Sequence, residues 1–179
     1  MTSKKRDPNS PPGPEVTVRL ARREDLPAVL DIFNWAIVNT AASFNTEPET
    51  IEHFADQWES SADRFPWFVA ENERAVVGFA KASRFHSRCG YAYTAEVTVY
   101  VHQSHPGRGI GTALYGELIP KLKAQGYRTL IAVIAIPNPA SERLHARFDF
   151  RKIGILARVG WKNTDGIYGK EFTSASSRA

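Results

Sequence analysis

A single cysteine, Cys89, stands in the whole 179-residue sequence. An intrachain disulfide is thereby excluded, and such sparing use of thiols fits a reducing compartment. No stretch approaches the roughly 20 apolar residues that a membrane helix requires. The first residues also lack an apolar core of the signal-peptide kind. The expectation is a cytoplasmic protein with no membrane partner. Internal repeats and low-complexity segments are missing as well. The formal charge of +4 comes from scattered residues, and the one short basic cluster, Lys4-Lys5-Arg6, lies in a polar stretch. Nucleic acid is therefore not an expected partner. What is present is ordinary globular usage, 42% hydrophobic and 23% charged, at the scale of one domain. Met1 to Glu15 contains four prolines and almost no apolar residue. It reads as a disordered tail, with the domain assigned to residues 16–173 and a second tail to 174–179.

Two periodicities organise the remainder. Val16 to Leu20, Trp67 to Ala70, Val76 to Ala80, Thr94 to Val101 and Thr129 to Ile134 are rich in β-branched and aromatic residues and predict strands, with two more near Ile153 to Val159 and Ile167 to Phe172. The run from Thr129 to Ile134 is apolar enough to be buried on both faces. Helical spacing appears from about Asp25 to Val38, where Leu26, Val29, Leu30, Phe33 and Ile37 share a face. Further helices are predicted from about Thr50 to Ser60, from Ile110 through Leu122, and from about Pro139 to Phe148. The order is β-α-α-β-β-β-α-β-α-β-β.

Between the strand ending at Val101 and the helix opening at Ile110 lies His105-Pro-Gly-Arg-Gly-Ile-Gly-Thr112. Gly107, Gly109 and Gly111 keep side chains away, so consecutive backbone N–H groups can converge at the positive end of the helix dipole. A pyrophosphate suits such a turn. A Walker loop would place Lys-Ser or Lys-Thr after the last glycine, where Thr112-Ala113 stands. A dinucleotide fingerprint would need a third glycine, but Ala113 and Leu114 follow Gly111. His102 and His105 suggest a metal pair only superficially. They lie in a loop containing Pro106, with no acidic or cysteine partner near, and no metal is expected.

Arg108-Gly109-Ile110-Gly111 resembles the second half of the acetyl-CoA loop of the GNAT superfamily of N-acyltransferases, Gln/Arg-x-x-Gly-x-Gly/Ala after a strand. The element order is also that of the superfamily. Within it the chain is similar to the phosphinothricin and methionine sulfoximine N-acetyltransferase group. The likeness is carried, in chain order, by Phe44-Asn-Thr-Glu-Pro48, Phe65-Pro-Trp67, Tyr93-Thr-Ala-Glu96 running into Val99-Tyr-Val101, Tyr115, and Ala132-Val-Ile134 leading to Pro137-Asn138. The resemblance implies an α/β GNAT fold, a central mixed and splayed β-sheet flanked by helices. It also implies acetyl-CoA as co-substrate without a metal and a small-molecule amine acceptor, and it allows for a homodimer.

It assigns residues as well. The active-site carboxylate falls on Glu96, in the otherwise uncharged run Tyr91 to Val101. Amide formation needs a neutral amine, and a carboxylate acting through a water can take the proton. Val99, Tyr100 and Val101 would pair with the pantetheine arm, and a backbone N–H there could hold the oxyanion. Gly107, Arg108, Gly109, Ile110, Gly111 and Thr112 would receive the pyrophosphate. Asn138 and Ser141 open the second cofactor motif. His145 follows a turn later, placed to protonate the departing thiolate. Arg88 matches the arginine preceding the active-site strand, a bidentate partner for an acceptor carboxylate, with Arg84 as an alternative. Phe44, Tyr91, Tyr93 and Thr94 would line the acceptor pocket.

Three departures from the family pattern stand out. Pro106 occupies the Gln/Arg position, so one phosphate contact is expected to be lost. Asp149 replaces the glycine that ends the helix after His145, at a left-handed position. Gly160 to Asp165 resembles a shortened version of the family's loop before the last strand. The implied reaction is acetyl transfer from acetyl-CoA to the amino group of a small amino-acid-like substrate of the phosphinothricin or methionine sulfoximine type. A protein N-terminus or lysine acetyltransferase and a non-catalytic acyl-CoA-binding sensor remain as alternatives.

Overall fold

In a computed structural model, which describes residues 16–162 and 167–176, a seven-stranded sheet runs in the order β1-β2-β3-β4-β5-β7-β6. Its strands are β1 (Thr17–Leu20), β2 (Trp67–Asn72), β3 (Ala75–Arg84), β4 (Thr94–Val101), β5 (Thr129–Ile136), β6 (Arg151–Trp161) and β7 (Ile167–Ser176). The helices are α1 (Leu26–Asn39), α2 (Ile51–Glu59), α3 (Ile110–Ala124) and α4 (Pro139–Arg147). The expected element order is observed. Strand ends differ where tertiary pairing extends a short apolar signal. β3 runs to Arg84 because Ser83 and Arg84 pair with Glu96 and Ala95. β7 runs to Ser176 because Ser174, Ala175 and Ser176 pair with Ile131, Leu130 and Thr129. That pairing corrects the tail expected from residue 174. The expected tail 1–15, residues 177–179 and the middle of the shortened loop lie outside the described residues.

Strand alternation divides the core between the two faces of the sheet. One face carries Trp67, Val69 and Phe79 against Leu26, Val29, Leu30 and Phe54 of α1 and α2. The other carries Ala80, Ala82, Ala95 and Val97 against Ile110, Leu114, Tyr115 and Leu118 of α3. β5 is covered on both sides, with Leu130, Ile131, Ala132 and Ile134 buried as expected. Asp25 anchors the start of α1 to β1. Its carboxylate accepts from both guanidinium nitrogens of Arg19, at 2.6 and 2.8 Å, and from the Arg22 backbone N–H at 2.7 Å. Burial alone would raise the Asp25 pKa, but these donors hold it below the ordinary carboxylate value.

The feature that positions the site is a parting of the sheet. β4 and β5 are parallel and register only at Thr94↔Thr129, Ala95↔Leu130 and Glu96↔Ile131. Beyond Glu96, β4 stays with β3 through Val101 and β5 stays with β7 through Ile136. The facing backbone edges are thereby released from each other. This is the splay that the resemblance implied.

Candidate active site

A cavity of about 930 Å³ opens where the strands part. Glu96 lines it at the last β4–β5 register pair. Alternation places Glu96 on the same strand face as Thr98 and Tyr100, toward α1 and α2. On the other side the wall is formed by the loop before α3 and by α4.

The glycine loop has the expected backbone. Gly107 and Gly109 have φ of 71° and 77°, and Gly109 is the N-cap of α3. Both adopt the left-handed conformation that a side chain would strain. Gly111 differs from the expectation. It is an ordinary helical residue, and a Cβ there would meet Leu144 Cδ2 at 2.9 Å. Its small size therefore serves the seating of α4 on α3 rather than a positive φ. Ile110 is buried, so only its backbone can serve a ligand. The remaining expected cofactor positions, Val99, Tyr100, Val101, Arg108, Thr112, Asn138 and Ser141, all line the cavity. Asn138 caps α4 by accepting from the Ser141 N–H at 3.1 Å.

His145 is a buried residue rather than a surface one, at 4% exposure. Its Nδ1 faces the Ser141 carbonyl at 2.8 Å, so that nitrogen carries the proton, and Nε2 accepts from the Tyr115 hydroxyl at 2.9 Å. Burial lowers the imidazole pKa, and the Ser141 hydrogen bond only partly offsets it. Burial also raises the Tyr115 phenol. The pair is a neutral couple packed against Phe148 and Phe150. Asp149 has a φ of 63°, as its left-handed placement predicts. Phe150 N–H reaches the His145 carbonyl and Asp149 N–H the Ala146 carbonyl, which closes α4 in a Schellman turn.

On the acceptor side the structure departs further from expectation. Phe44 lines the cavity, but Arg88, Tyr91, Tyr93 and Thr94 are not among its lining residues. Arg88, Tyr91 and Tyr93 are exposed, with Tyr91 against Phe85 and His86 and Tyr93 under Arg128. Arg84 is exposed at the end of β3. Two lysines that sequence reasoning missed hold this region instead. Lys162 is buried and donates to the carbonyls of Thr40 and Ser43 at 2.9 and 2.6 Å, pinning the segment that carries Phe44. Lys81 lines the cavity from β3, its ammonium 4.4 Å from the Trp67 ring centroid. Burial draws the Lys81 pKa down to about 8 against the upward pull of Glu49 and Glu96. The available signal was a lone charge within the apolar run Val76 to Ala82.

The acetyltransferase (GNAT) family model matches residues 29–150. The chain belongs to the GNAT family of acetyltransferases. A phosphinothricin N-acetyltransferase of Streptomyces viridochromogenes is 40% identical to it, over 86% of this chain and 84% of that protein. An L-methionine sulfoximine/L-methionine sulfone acetyltransferase of Salmonella typhimurium is 32% identical, over 82% and 86%. Among solved structures, a phosphinothricin acetyltransferase from Sinorhizobium meliloti in complex with acetyl-CoA superposes with a TM-score of 0.86 at 30% identity, covering 90% of this chain and 88% of that one. This GNAT protein is an acetyl-CoA-dependent N-acetyltransferase, and the transfer is to an amine. Among the described residues no group of His, Cys, Asp or Glu is arranged to hold a metal, and no helix is long and apolar enough to cross a membrane.

Proposed function

We propose that this acetyltransferase modifies the amino group of a small amino-acid-like acceptor of the phosphinothricin or methionine sulfoximine type. The observation that carries the reading is the position of Glu96, a carboxylate inside the cavity at the point where two strand edges come free. The chain fits acetyl-CoA on three counts: an open β4 edge for an extended amide-bearing arm, left-handed glycines ahead of α3 for a pyrophosphate, and the capped start of α4. Acetyl-CoA supplies the reactive thioester. The β4 backbone from Val99 to Val101 holds the arm and offers an N–H to the developing oxyanion. Glu96, through a water, takes the proton that the amine must lose for attack. His145 supplies the proton for the departing thiolate. For that role its Nε2 must be protonated, exchanging the bond it accepts from Tyr115 for one it donates.

Thiol release from acetyl-CoA across a panel of amines tests the reading. Free amino acids and their phosphinate and sulfoximine analogues should turn over, and peptides should not. Preferred peptide acetylation would establish a protein acetyltransferase, and binding of acetyl-CoA without release for any amine would establish a sensor. Glu96→Gln should lower kcat by roughly 10²–10⁴-fold with acetyl-CoA affinity retained, the range for a lost general base. A wild-type pH–rate profile in that variant would remove Glu96 from the chemistry.

A further inference from the structure

A cation on the acceptor side of the cavity is left without a role by this reaction. Lys81 and Glu96 sit on adjacent antiparallel strands, in the register Lys81↔Thr98 and Ser83↔Glu96. Both line the cavity. They are therefore diagonal neighbours on one face, at roughly 7–8 Å between strand positions. We propose that Lys81 receives the acidic group of the acceptor, so that Lys81 and Glu96 together read a zwitterion, its amine at the glutamate and its carboxylate or phosphinate at the lysine. The proposal rests on the amino-acid reading of the acceptor and names the group that selects it.

The surroundings favour this role. The Lys81 ammonium is held over the rings of Trp67, Phe54 and Phe33, at 4.4, 5.5 and 5.7 Å from their centroids. Aromatic faces fix a cation without neutralising it. Glu49 and Glu96 act on it through space. Glu49 is committed elsewhere, bonded to His53 and to Asn45 Nδ2. An arriving anion thus meets a partly desolvated positive charge, where ion pairing is stronger than in water. The other cationic residues lining the cavity, Arg108, Arg143 and Arg147, stand in the loop before α3 and on α4, on the cofactor side. Lys162 is spent on two backbone carbonyls.

The experiment compares Lys81→Met, Lys81→Arg and Arg88→Ala with wild type, on one amino-acid acceptor and on its decarboxylated amine. Losing one charge-assisted hydrogen bond predicts a fall of about 10- to 100-fold in kcat/KM for the amino acid in Lys81→Met, expressed mainly in KM. The amine should change little, and Lys81→Arg should retain part of the activity. Melting temperature should hold or rise in Lys81→Met, because an apolar chain of similar length replaces a half-buried charge. Equal losses on both acceptors, or an acid limb of the pH–rate profile displaced for both, would overturn the proposal in favour of a lysine that tunes Glu96. So would a selective loss in Arg88→Ala with Lys81→Met unaffected. Wild type that acetylates the amine but not the amino acid would instead overturn the amino-acid reading itself, and this inference with it.

Discussion

At the scale of single residues, the most consequential finding is how thoroughly His145 is enclosed. With Ser141 and Tyr115 holding its two nitrogens, the neutral ring is the favoured form. Burial places its folded pKa below the unfolded value of about 6.5. The unfolded chain therefore binds the proton more readily, and stability is full above pH 6.5 and declines as pH falls from there through the folded value. Melting temperature should drop as pH falls below about 6.5 in wild type and flatten there in His145→Gln, from an already lower plateau. Asp25 is likewise held below its ordinary value, so its contribution is present above the carboxylate range and is lost only at still lower pH. The same chemistry bears on catalysis. If protonated His145 feeds the thiolate, kcat for the step should decline as pH rises past its lowered pKa, whereas a purely structural ring would leave no such limb.

At the scale of elements, the loop before α3 and the helices it joins separate two jobs that three glycines suggested were one. Gly109→Ala places a side chain at a φ of 77°, a strain of about 1–2 kcal/mol at the α3 N-cap, and should weaken acetyl-CoA binding in a folded protein. Gly111→Val instead drives a branch into Leu144, so its first effect should be a lower melting temperature as α4 lifts from α3. Calorimetric affinity and thermal denaturation on the two variants check the division. The sequence made the glycines conspicuous but gave no sign of which faced a ligand and which faced Leu144, because that depends on a helix thirty residues away. The same limit governs the acceptor side. Strand pattern and family motifs pointed to Glu96 and to the glycine loop and α4 start, contiguous runs that the structure brings to one cavity. They pointed to Tyr91 and Tyr93, which stand exposed and outside the cavity lining, and gave no sign of Lys81 and Lys162, whose surroundings come from β2, α1 and α2 or from the segment after α1. A lone lysine carries no pattern until the fold closes around it.

At the scale of the whole molecule, the sheet is two smaller sheets, β1-β2-β3-β4 and β5-β7-β6, sharing three register pairs. Around that seam the described links include a core common to both halves, where Leu130, Ala132 and Phe150 pack in one cluster with Ala95, Val97 and Tyr115. They also include the Arg128 N–H donated to the Tyr93 carbonyl at 2.9 Å, α4 resting on α3 through Leu144 and the Tyr115–His145 pair, and Lys162 reaching back to Thr40 and Ser43. Cooperative opening units tend to follow supersecondary boundaries of this sort. Native-state amide hydrogen exchange should therefore resolve two opening free energies in the free protein, one for each sub-sheet. A ligand bound only by the joined form stabilises it by about 2.7 kcal/mol at a hundred times its dissociation constant. With acetyl-CoA present, the two exchange classes should converge toward a single value. A free protein that already exchanges as one unit would mean that the common core, α4 and Lys162 couple the halves unaided. If the seam admits the co-substrate as proposed, it also makes it a folding partner: the transferase would be most nearly one cooperative body while loaded, and its susceptibility to proteolysis should follow the ratio of acetyl-CoA to free protein.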